Sequence, residues 1–192
     1  MFLDKTELRK SIRHHRKQLS PDAVAQASSV VSEKIMHLPE FSNAKKIASY
    51  LPHENEINLA MVASCTEALN KSLYVPILSE KNKLQFYGVD ENTQFRKNKW
   101  GIEEPIISKD IPVSPHTLDL ILIPLVAFDR HRNRLGRGAG CYDRCFAFTK
   151  NTPIDKRPVL IGVAYEFQKV DEIISESWDV RMDYIVTEKR VY

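Results

Sequence analysis

The chain has 192 residues, of which 43% are hydrophobic and 28% are charged, and this composition excludes an intrinsically disordered chain. Its length allows one domain with a substantial core, and we expect a single domain over residues 1–192. The net charge of +3 suits an anionic small molecule and is weaker than the clustered basic excess of most nucleic-acid-binding modules.

Membrane insertion and secretion are not expected. The longest apolar stretch, Leu118–Phe128, is broken by Asp119 and Pro124 and is too short to cross a bilayer. The first twenty residues are basic and polar, without the apolar core of a secretory signal. Three cysteines are an odd number for a disulfide framework. We therefore expect a reduced, cytoplasmic protein, and we expect it to act as a monomer.

The first forty residues predict two helices. Apolar and semi-apolar side chains recur at helical spacing from Lys5 to Leu19. The other faces of this helix form a basic side that carries Arg9, Arg13, Arg16 and Lys17. Ser20-Pro21-Asp22 combines a capping serine, a proline for the first turn and an acid, which predicts a second helix to about Leu38. His14 and His15 are assigned to the surface of the first helix.

The remainder of the chain alternates strands with helices. Strands are predicted at Lys46–Leu51, Leu73–Leu78, Leu84–Val89, Leu118–Ile123, Val159–Tyr165 and Tyr184–Thr187. Helices are predicted from Asn58 to Leu69 and from Cys141 to Phe148, and Arg96–Pro115 is predicted to be a long surface loop. This order predicts an α/β fold, a single-domain three-layer sandwich with a mostly parallel central sheet.

The segment Arg134–Asp143 carries the strongest chemical signal. Three of the six glycines, Gly136, Gly138 and Gly140, occupy every second position of this segment, which lies between the strongest predicted strand and a predicted helix. Glycines let a ligand approach the main chain, and a loop entering a helix aims unpaired N–H groups at phosphate. Arg134 and Arg137 add planar cations, and Asp143 could hold Mg²⁺. The alternative is a flexible loop whose arginines face solvent; the P-loop lysine and the dinucleotide spacing are both missing.

Several segments in order resemble the 5-formyltetrahydrofolate cyclo-ligase family. Arg134–Asp143, preceded by Pro124 and Ala127-Phe128-Asp129, is similar to the family signature. The other similar segments are Lys5-x-x-x-Arg9, Tyr50-Leu51-Pro52 with Glu56, Trp100–Pro105, and Asp179–Asp183 followed by Ile185–Glu188. Two positions depart from the pattern: Cys141 stands where the family usually has a tyrosine, and Leu125 where it usually has glycine.

The resemblance implies an enzyme that uses ATP and Mg²⁺ to close 5-formyltetrahydrofolate into 5,10-methenyltetrahydrofolate through a phosphorylated formyl group. It implies ATP binding by Lys5, Arg9, Arg134, Leu135, Gly136, Arg137, Gly138, Ala139, Gly140, Cys141 and Tyr142. It implies folate binding by Leu51, Glu56, Trp100, Arg137, Gly138, Ala139, Gly140 and Cys141. Asp143 and Asp179 would bind the metal, and Arg137 and Tyr142 would be catalytic.

Each of these residues also has a plainer interpretation. Lys5 and Arg9 could form a solvated basic face, Glu56 could be a surface residue, and Asp179 could cap a turn. Cys141 and Cys145 are expected to be buried thiols, because no histidine lies at a metal-ligand spacing. Alternative functions are an ATP-dependent kinase or ligase for another small anionic substrate, and a folate-binding relative without catalysis. A third, a nucleic-acid module on Arg9–Lys17, is opposed by 25 acidic residues.

Overall fold

The computed structural model describes residues 4–79, 83–98, 101–107 and 111–192. Its α-helices are α1 (Lys5–Lys17), α2 (Pro21–Met36), α3 (Pro39–Asn43), α4 (Ala60–Ala68) and α5 (Cys141–Phe146). Its strands are β1 (Lys46–Ala48), β2 (Ser72–Leu78), β3 (Leu84–Val89), β4 (Phe95–Lys97), β5 (Glu103–Pro105), β6 (Leu120–Pro124), β7 (Ala127–Phe128), β8 (Arg134–Leu135), β9 (Val159–Val163) and β10 (Tyr184–Val186). Short 3₁₀ helices lie at Pro115–Thr117, Ala147–Asn151, Ile154–Lys156 and Glu166–Gln168.

Six strands form the central sheet in the order β10-β9-β6-β1-β2-β3. Neighbouring strands are parallel except β2 and β3, which pair in antiparallel fashion from Leu73↔Val89 to Leu78↔Leu84. A short connection can join only antiparallel neighbours, so β3 closes one edge as a hairpin. The predicted α/β class with a mostly parallel sheet is confirmed.

Strand β6 lies in the middle of the core, and its side chains alternate between the two faces of the sheet. Leu120 and Leu122 join the cluster formed with α2, α3 and α4. Ile121 and Ile123 join the opposite cluster, which contains Phe146 of α5. All four are buried, as expected for a parallel strand covered on both sides. The three-layer arrangement follows from this double coverage.

Both N-terminal helices begin where the sequence predicts, and α2 begins with the predicted capping serine. Ser20 Oγ accepts a hydrogen bond from Ala23 N at 3.2 Å, and Pro21 takes the first helical position of α2. The buried stripe of α2 repeats at one-turn spacing through Ala27, Val31 and Ile35. Helix α1 begins at Lys5 as predicted and ends two residues before Leu19.

Three predictions of local structure are wrong in part. The predicted Arg96–Pro115 loop includes most of the two-stranded hairpin of β4 and β5, whose three-residue strands carry no apolar alternation to signal them. The predicted helix from Cys141 tightens into a 3₁₀ helix after Phe146. Strands β1 and β9 end before Leu51 and Tyr165, where the chain leaves the sheet.

The helices are short. Within the described ranges, none has both the length and the apolar character needed to span a bilayer.

Candidate functional site

A cavity of about 500 Å³ opens at the carboxyl ends of the parallel strands. Its walls include Pro76 and Leu78 at the end of β2, and Pro124 and Leu125 at the end of β6. The N-terminal half of α1, the segment after β1 and the glycine loop before α5 also contribute to the lining. Ligands of open α/β sheets bind at this edge, because the loops that follow the strands converge there.

The glycine loop is aimed by a small hairpin. Strands β7 and β8 pair Ala127 with Leu135 and Phe128 with Arg134. The fully buried Asp129 fixes the turn, since its Oδ1 accepts hydrogen bonds from His131 N at 2.8 Å and Asn133 N at 3.0 Å. Its Oδ2 accepts from Asn133 Nδ2 at 2.8 Å and from Ile173 N at 3.0 Å. Asp129 thus ties the hairpin to the segment that borders the other side of the cavity.

The loop that lines the cavity has main-chain N–H groups without an acceptor among the described residues. Gly138 and Gly140 have φ of +107° and +62°, which residues with side chains rarely adopt. Within the described part of the chain, no acceptor lies in hydrogen-bonding range of the N–H groups of Gly138, Ala139 or Gly140. Arg9 lies over the loop and donates from Nε to Gly136 O at 2.8 Å. Unpaired donors beside a guanidinium are suited to an anion.

Two carboxylates border the same end of the cavity. Asp143 Oδ1 accepts from Arg134 Nη2 at 2.7 Å and from Val180 N at 3.1 Å. Burial lowers the pKa of the Arg134 guanidinium, and the carboxylate of Asp143 opposes that effect. Asp179 Oδ2 accepts from Glu176 N at 2.9 Å, so Asp179 both closes a turn and lines the cavity.

A metal ion held by Asp143 and Asp179 would need further ligands from water or from a bound phosphate. No set of three or more His, Cys, Asp or Glu side chains converges on one point among the residues described. Mg²⁺ commonly takes one or two carboxylates and completes its shell with water and phosphate oxygens. Asp143 and Asp179 fit that donor set, and they do not fit a closed all-protein cage.

Glu56 lies between two arginines from distant parts of the chain. Its Oε1 is 2.8 Å from Arg137 Nη2 and 3.5 Å from Arg16 Nη2. Its Oε2 accepts from His53 N at 3.0 Å. The Glu56 side chain is 8% exposed, so the carboxylate is a buried group that faces the cavity rather than a surface residue. Arg137 joins this acid to the glycine loop.

The other end of the cavity is mostly apolar and suits a flat ring system. Pro76, Leu78, Leu84, Ile102 and Leu125 supply this surface.

Tyrosine hydroxyls add neutral polar groups to the cavity. Burial raises the pKa of Tyr50, whose hydroxyl donates to Ile57 O at 2.7 Å. Burial also raises the pKa of Tyr142, so this hydroxyl stays protonated and can donate a hydrogen bond.

The structure brings almost all of the predicted site residues together. Among them, Lys5, Arg9, Leu51, Glu56, the whole run Arg134–Asp143 and Asp179 line the one cavity. Trp100 lies outside the described residues. Cys141 and Cys145 are free thiols, predicted to be buried but in fact half-buried: Cys141 lines the open cavity, and Cys145 packs against the core cluster that contains Phe146.

Sequence reasoning missed several residues of the site. His53, Pro76, Leu84 and Trp178 line the cavity without a motif that marks them. The assignment of Arg16 to a basic solvent face is wrong, because this side chain is buried beside Glu54 and Glu56. The signal available was its place on the apolar stripe, four residues after the buried Ile12.

The chain was compared with known proteins. Residues 2–188 match the model of the 5-formyltetrahydrofolate cyclo-ligase family. A protein of Haemophilus influenzae named 5-formyltetrahydrofolate cyclo-ligase is 34% identical over 176 residues, covering 91% of the chain and 92% of that protein. The protein of the same name from Escherichia coli K12 is 27% identical over 183 residues, covering 94% and 98%.

Solved structures of similar proteins share the fold. The structure of Aquifex aeolicus 5,10-methenyltetrahydrofolate synthetase aligns with a TM-score of 0.79 and 35% identity, covering 97% of the chain and 91% of that protein. The structure of a 5,10-methenyltetrahydrofolate synthetase from Mycoplasma pneumoniae aligns with a TM-score of 0.76 and 26% identity, covering 97% and 99%.

Proposed function

The chain belongs to the 5-formyltetrahydrofolate cyclo-ligase family, and from that premise we propose that it uses ATP and Mg²⁺ to cyclise 5-formyltetrahydrofolate. The products are 5,10-methenyltetrahydrofolate, ADP and phosphate. One observation carries the proposal: a loop of unpaired N–H groups and arginines shares a single cavity with an apolar surface and a buried glutamate. Such a cavity can hold a polyphosphate next to a flat heterocycle.

The proposed reaction activates an unreactive formyl group by phosphorylating its oxygen. The formyl carbon on nitrogen 5 is a poor electrophile, because the nitrogen donates its lone pair into the carbonyl. Transfer of the terminal phosphoryl group of ATP to the formyl oxygen converts that oxygen into a leaving group. The nitrogen at position 10 then attacks the formyl carbon, the C–O bond breaks, phosphate departs and the nitrogen loses its proton to solvent. No protein nucleophile is required.

Cationic groups and the loop hold the phosphates. Lys5 and Arg9 lie one turn apart on α1, and Arg9 is already fastened over the loop through Gly136 O. Together with Arg137 and the N–H groups of the loop they would neutralise charge on the transferred phosphoryl group. Positioning of the two reactants supplies the remainder of the catalysis.

Asp143 and Asp179 would hold Mg²⁺ between protein and phosphate. When bound, the ion would neutralise phosphate charge and fix the geometry of the phosphates. Arg134 is nearly inaccessible and would hold Asp143 in place rather than contact ATP through a free guanidinium.

Glu56 and Leu51 would select the folate ring. The carboxylate of Glu56 accepts hydrogen bonds, and the pterin presents amino and ring N–H donors in one plane. Trp100 is proposed to stack on this ring, on the strength of the family resemblance. Tyr142 would donate its neutral hydroxyl near the reacting groups.

The chain is proposed to act as one domain and as a monomer in the cytoplasm. The described residues of a single chain suffice to enclose the cavity. All three cysteines are free, which suits a reducing compartment.

The test is an absorbance assay on the purified protein with 5-formyltetrahydrofolate and MgATP. The methenyl bridge joins two nitrogens in one conjugated cation, so product formation raises the near-ultraviolet absorbance. We expect a rise that disappears without ATP and with a Mg²⁺ chelator. A folded protein that binds ATP and gives no rise would contradict the proposal and favour another small anionic substrate or a binding-only relative.

A further inference from the structure

Arg16 is a buried cation that the proposed reaction does not use. Its side chain is only 1% exposed, although the other basic residues of its helix are partly or fully exposed. Burial lowers the pKa of its guanidinium, and Glu56 opposes this effect. A buried arginine is retained only when partners compensate for its lost hydration.

The partners of Arg16 all belong to the segment that carries Glu56. Arg16 Nε donates to Glu54 O at 2.9 Å, and Nη2 lies 3.5 Å from Glu56 Oε1. Among the described residues, Nη2 has no partner within hydrogen-bonding geometry. Arg16 therefore interacts with Glu56 through the attraction of opposite charges and not through a hydrogen bond, and the hydrogens of its Nη2 have no acceptor among the described residues.

The turn before Glu56 is strained and fastened to the end of α1. Glu54 and Asn55 have φ of +51° and +57°, a left-handed conformation that residues other than glycine adopt only when the surrounding structure holds them in it. Glu54 pairs with Arg13 and Lys17, each at 2.9 Å. Asn55 Nδ2 lies 3.3 Å from Arg16 O, and also near the carbonyls of Lys17 and Leu19. These contacts hold the turn that directs Glu56 into the cavity.

Glu56 Oε1 thus lies near two guanidinium groups: that of Arg16, which is fixed, and that of Arg137, which belongs to the glycine loop. The Arg137 side chain is 35% exposed and rises from the glycine loop. If Arg137 turns toward phosphate, the contact that its Nη2 now makes with Glu56 at 2.8 Å depends on the position of the loop. Arg16 cannot follow the phosphate, because its Nε is anchored to the main chain of Glu54.

We propose that Arg16 is a positioning residue for Glu56. It keeps this carboxylate directed at the folate ring while Arg137 engages the phosphates. The inference rests on the proposed function only in that Glu56 accepts hydrogen bonds from a reduced folate. It deepens that function by assigning folate affinity to a buried arginine that contacts neither ligand.

The test is steady-state kinetics of three variants in the full chain. For Arg16→Met we expect the KM for 5-formyltetrahydrofolate to rise roughly tenfold or more, because one charged contact that positions Glu56 is lost. The KM for ATP and kcat should stay within about threefold of wild type. Arg16→Lys restores a positive charge and should bring the folate KM back to within about threefold of wild type.

Arg13→Met is the matched control. Arg13 donates to Glu54 at 3.0 and 2.9 Å, in the same turn, and has no contact with Glu56. We expect its folate KM within about twofold of wild type, since half-exposed pairs contribute little. An equal rise in Arg13→Met and Arg16→Met would overturn the inference, because Arg16 would then only anchor the turn. An unchanged folate KM in Arg16→Met would also overturn it.

A double variant covers a failure of Arg16→Met to fold. Arg16→Met with Glu56→Gln removes both buried charges together. If Arg16 acts through Glu56, the folate Kd of this double variant should equal that of Glu56→Gln within about threefold. A further tenfold loss would overturn the inference. Wild type that makes no methenyl product would instead contradict the proposed function, so the two failures are distinguishable.

Discussion

At the scale of single residues, four arginines with the same side chain have different surroundings, and we therefore expect different roles for them. Arg134 and Arg16 are buried and fixed, one on Asp143 and the other on Glu54. Arg9 and Arg137 stand at the cavity with part of the guanidinium free to meet a ligand. Of these four, only Arg9 and Arg137 could contact a phosphoryl group and stabilise the charge that develops on it during transfer.

Arg137→Ala should lose most of kcat. A guanidinium at the phosphoryl group is worth about 10²–10³ in rate when it acts mainly in the transition state. Turnover would be measured at saturating ATP and folate. The control is Arg130→Ala, which removes the same charge from an exposed position in the hairpin below the loop. Turnover equal to wild type in Arg137→Ala would remove this residue from the catalytic set.

Asp143→Asn should weaken the use of Mg²⁺. The substitution removes the charge that pairs with Arg134 at 2.7 Å and the anionic oxygen proposed for the ion. We expect the Mg²⁺ concentration for half-maximal rate to rise about tenfold or more. A titration with Mg²⁺ at fixed ATP measures it, and Asp155→Asn, which lies outside the cavity lining, is the control.

At the scale of elements, the loops after the strands carry the site and the strands carry the stability. Strand β6 illustrates the division, since Leu120–Ile123 form the core while the following Pro124 and Leu125 line the cavity. The turn of Glu54 and Asn55 illustrates how a loop acquires rigidity, because α1 holds it through several polar contacts.

Ile121→Ala in β6 should destabilise the fold by about 2–5 kcal/mol, because the substitution leaves a cavity in a core that cannot collapse. Urea unfolding followed by circular dichroism would measure the change. Ile154→Ala, at a position 54% exposed, should change stability by no more than about 0.5 kcal/mol. Equal losses at the two positions would contradict the described core.

The Glu54 carboxylate should make stability depend on acid pH. Partial burial alone would raise its pKa, but hydrogen bonds from Lys17 and Arg13 outweigh that effect and lower the pKa from 4.5 to about 2. The stabilisation is therefore complete above about pH 4.5 and is lost as pH falls toward 2. Unfolding free energies of wild type and Glu54→Gln should differ at pH 6 and converge near pH 2. A constant difference across that range would refute the ion-pair account.

At the scale of the whole molecule, the cavity joins parts of the chain that are far apart in sequence. Lys5 and Arg9 come from the first helix, the glycine loop from the second half, and Asp179 from the C-terminal segment. A ligand that contacts all three should stabilise the fold as a unit.

MgATP should raise the melting temperature of wild type. Ligand at about a hundredfold excess over Kd adds about 2.7 kcal/mol, which corresponds to roughly 5–10 °C for a chain of this size. Thermal melts with and without MgATP would measure it. The shift should be largely lost in Lys5→Ala with Arg9→Ala. A full shift in that variant would show that the first helix does not bind the nucleotide.

The sequence by itself determined the features that depend on neighbours along the chain. Periodicity and capping residues predicted α1 and α2, and the apolar run predicted β6. The ordered segments around Arg134–Asp143 identified the family and the ligase class, and the comparisons confirm both. The roles assigned to individual site residues remain predictions, although the described ones lie around one cavity.

Only the tertiary structure decided which polar side chains are buried and which of them meet. Arg16 and Glu56 are forty residues apart, and neither position reveals in sequence that the other lies 3.5 Å away. Leu84 lines the cavity because β3 folds back beside β2. The physical reason is that local pattern reflects the backbone within one or two turns, whereas burial and electrostatic pairing depend on contacts that chain folding creates.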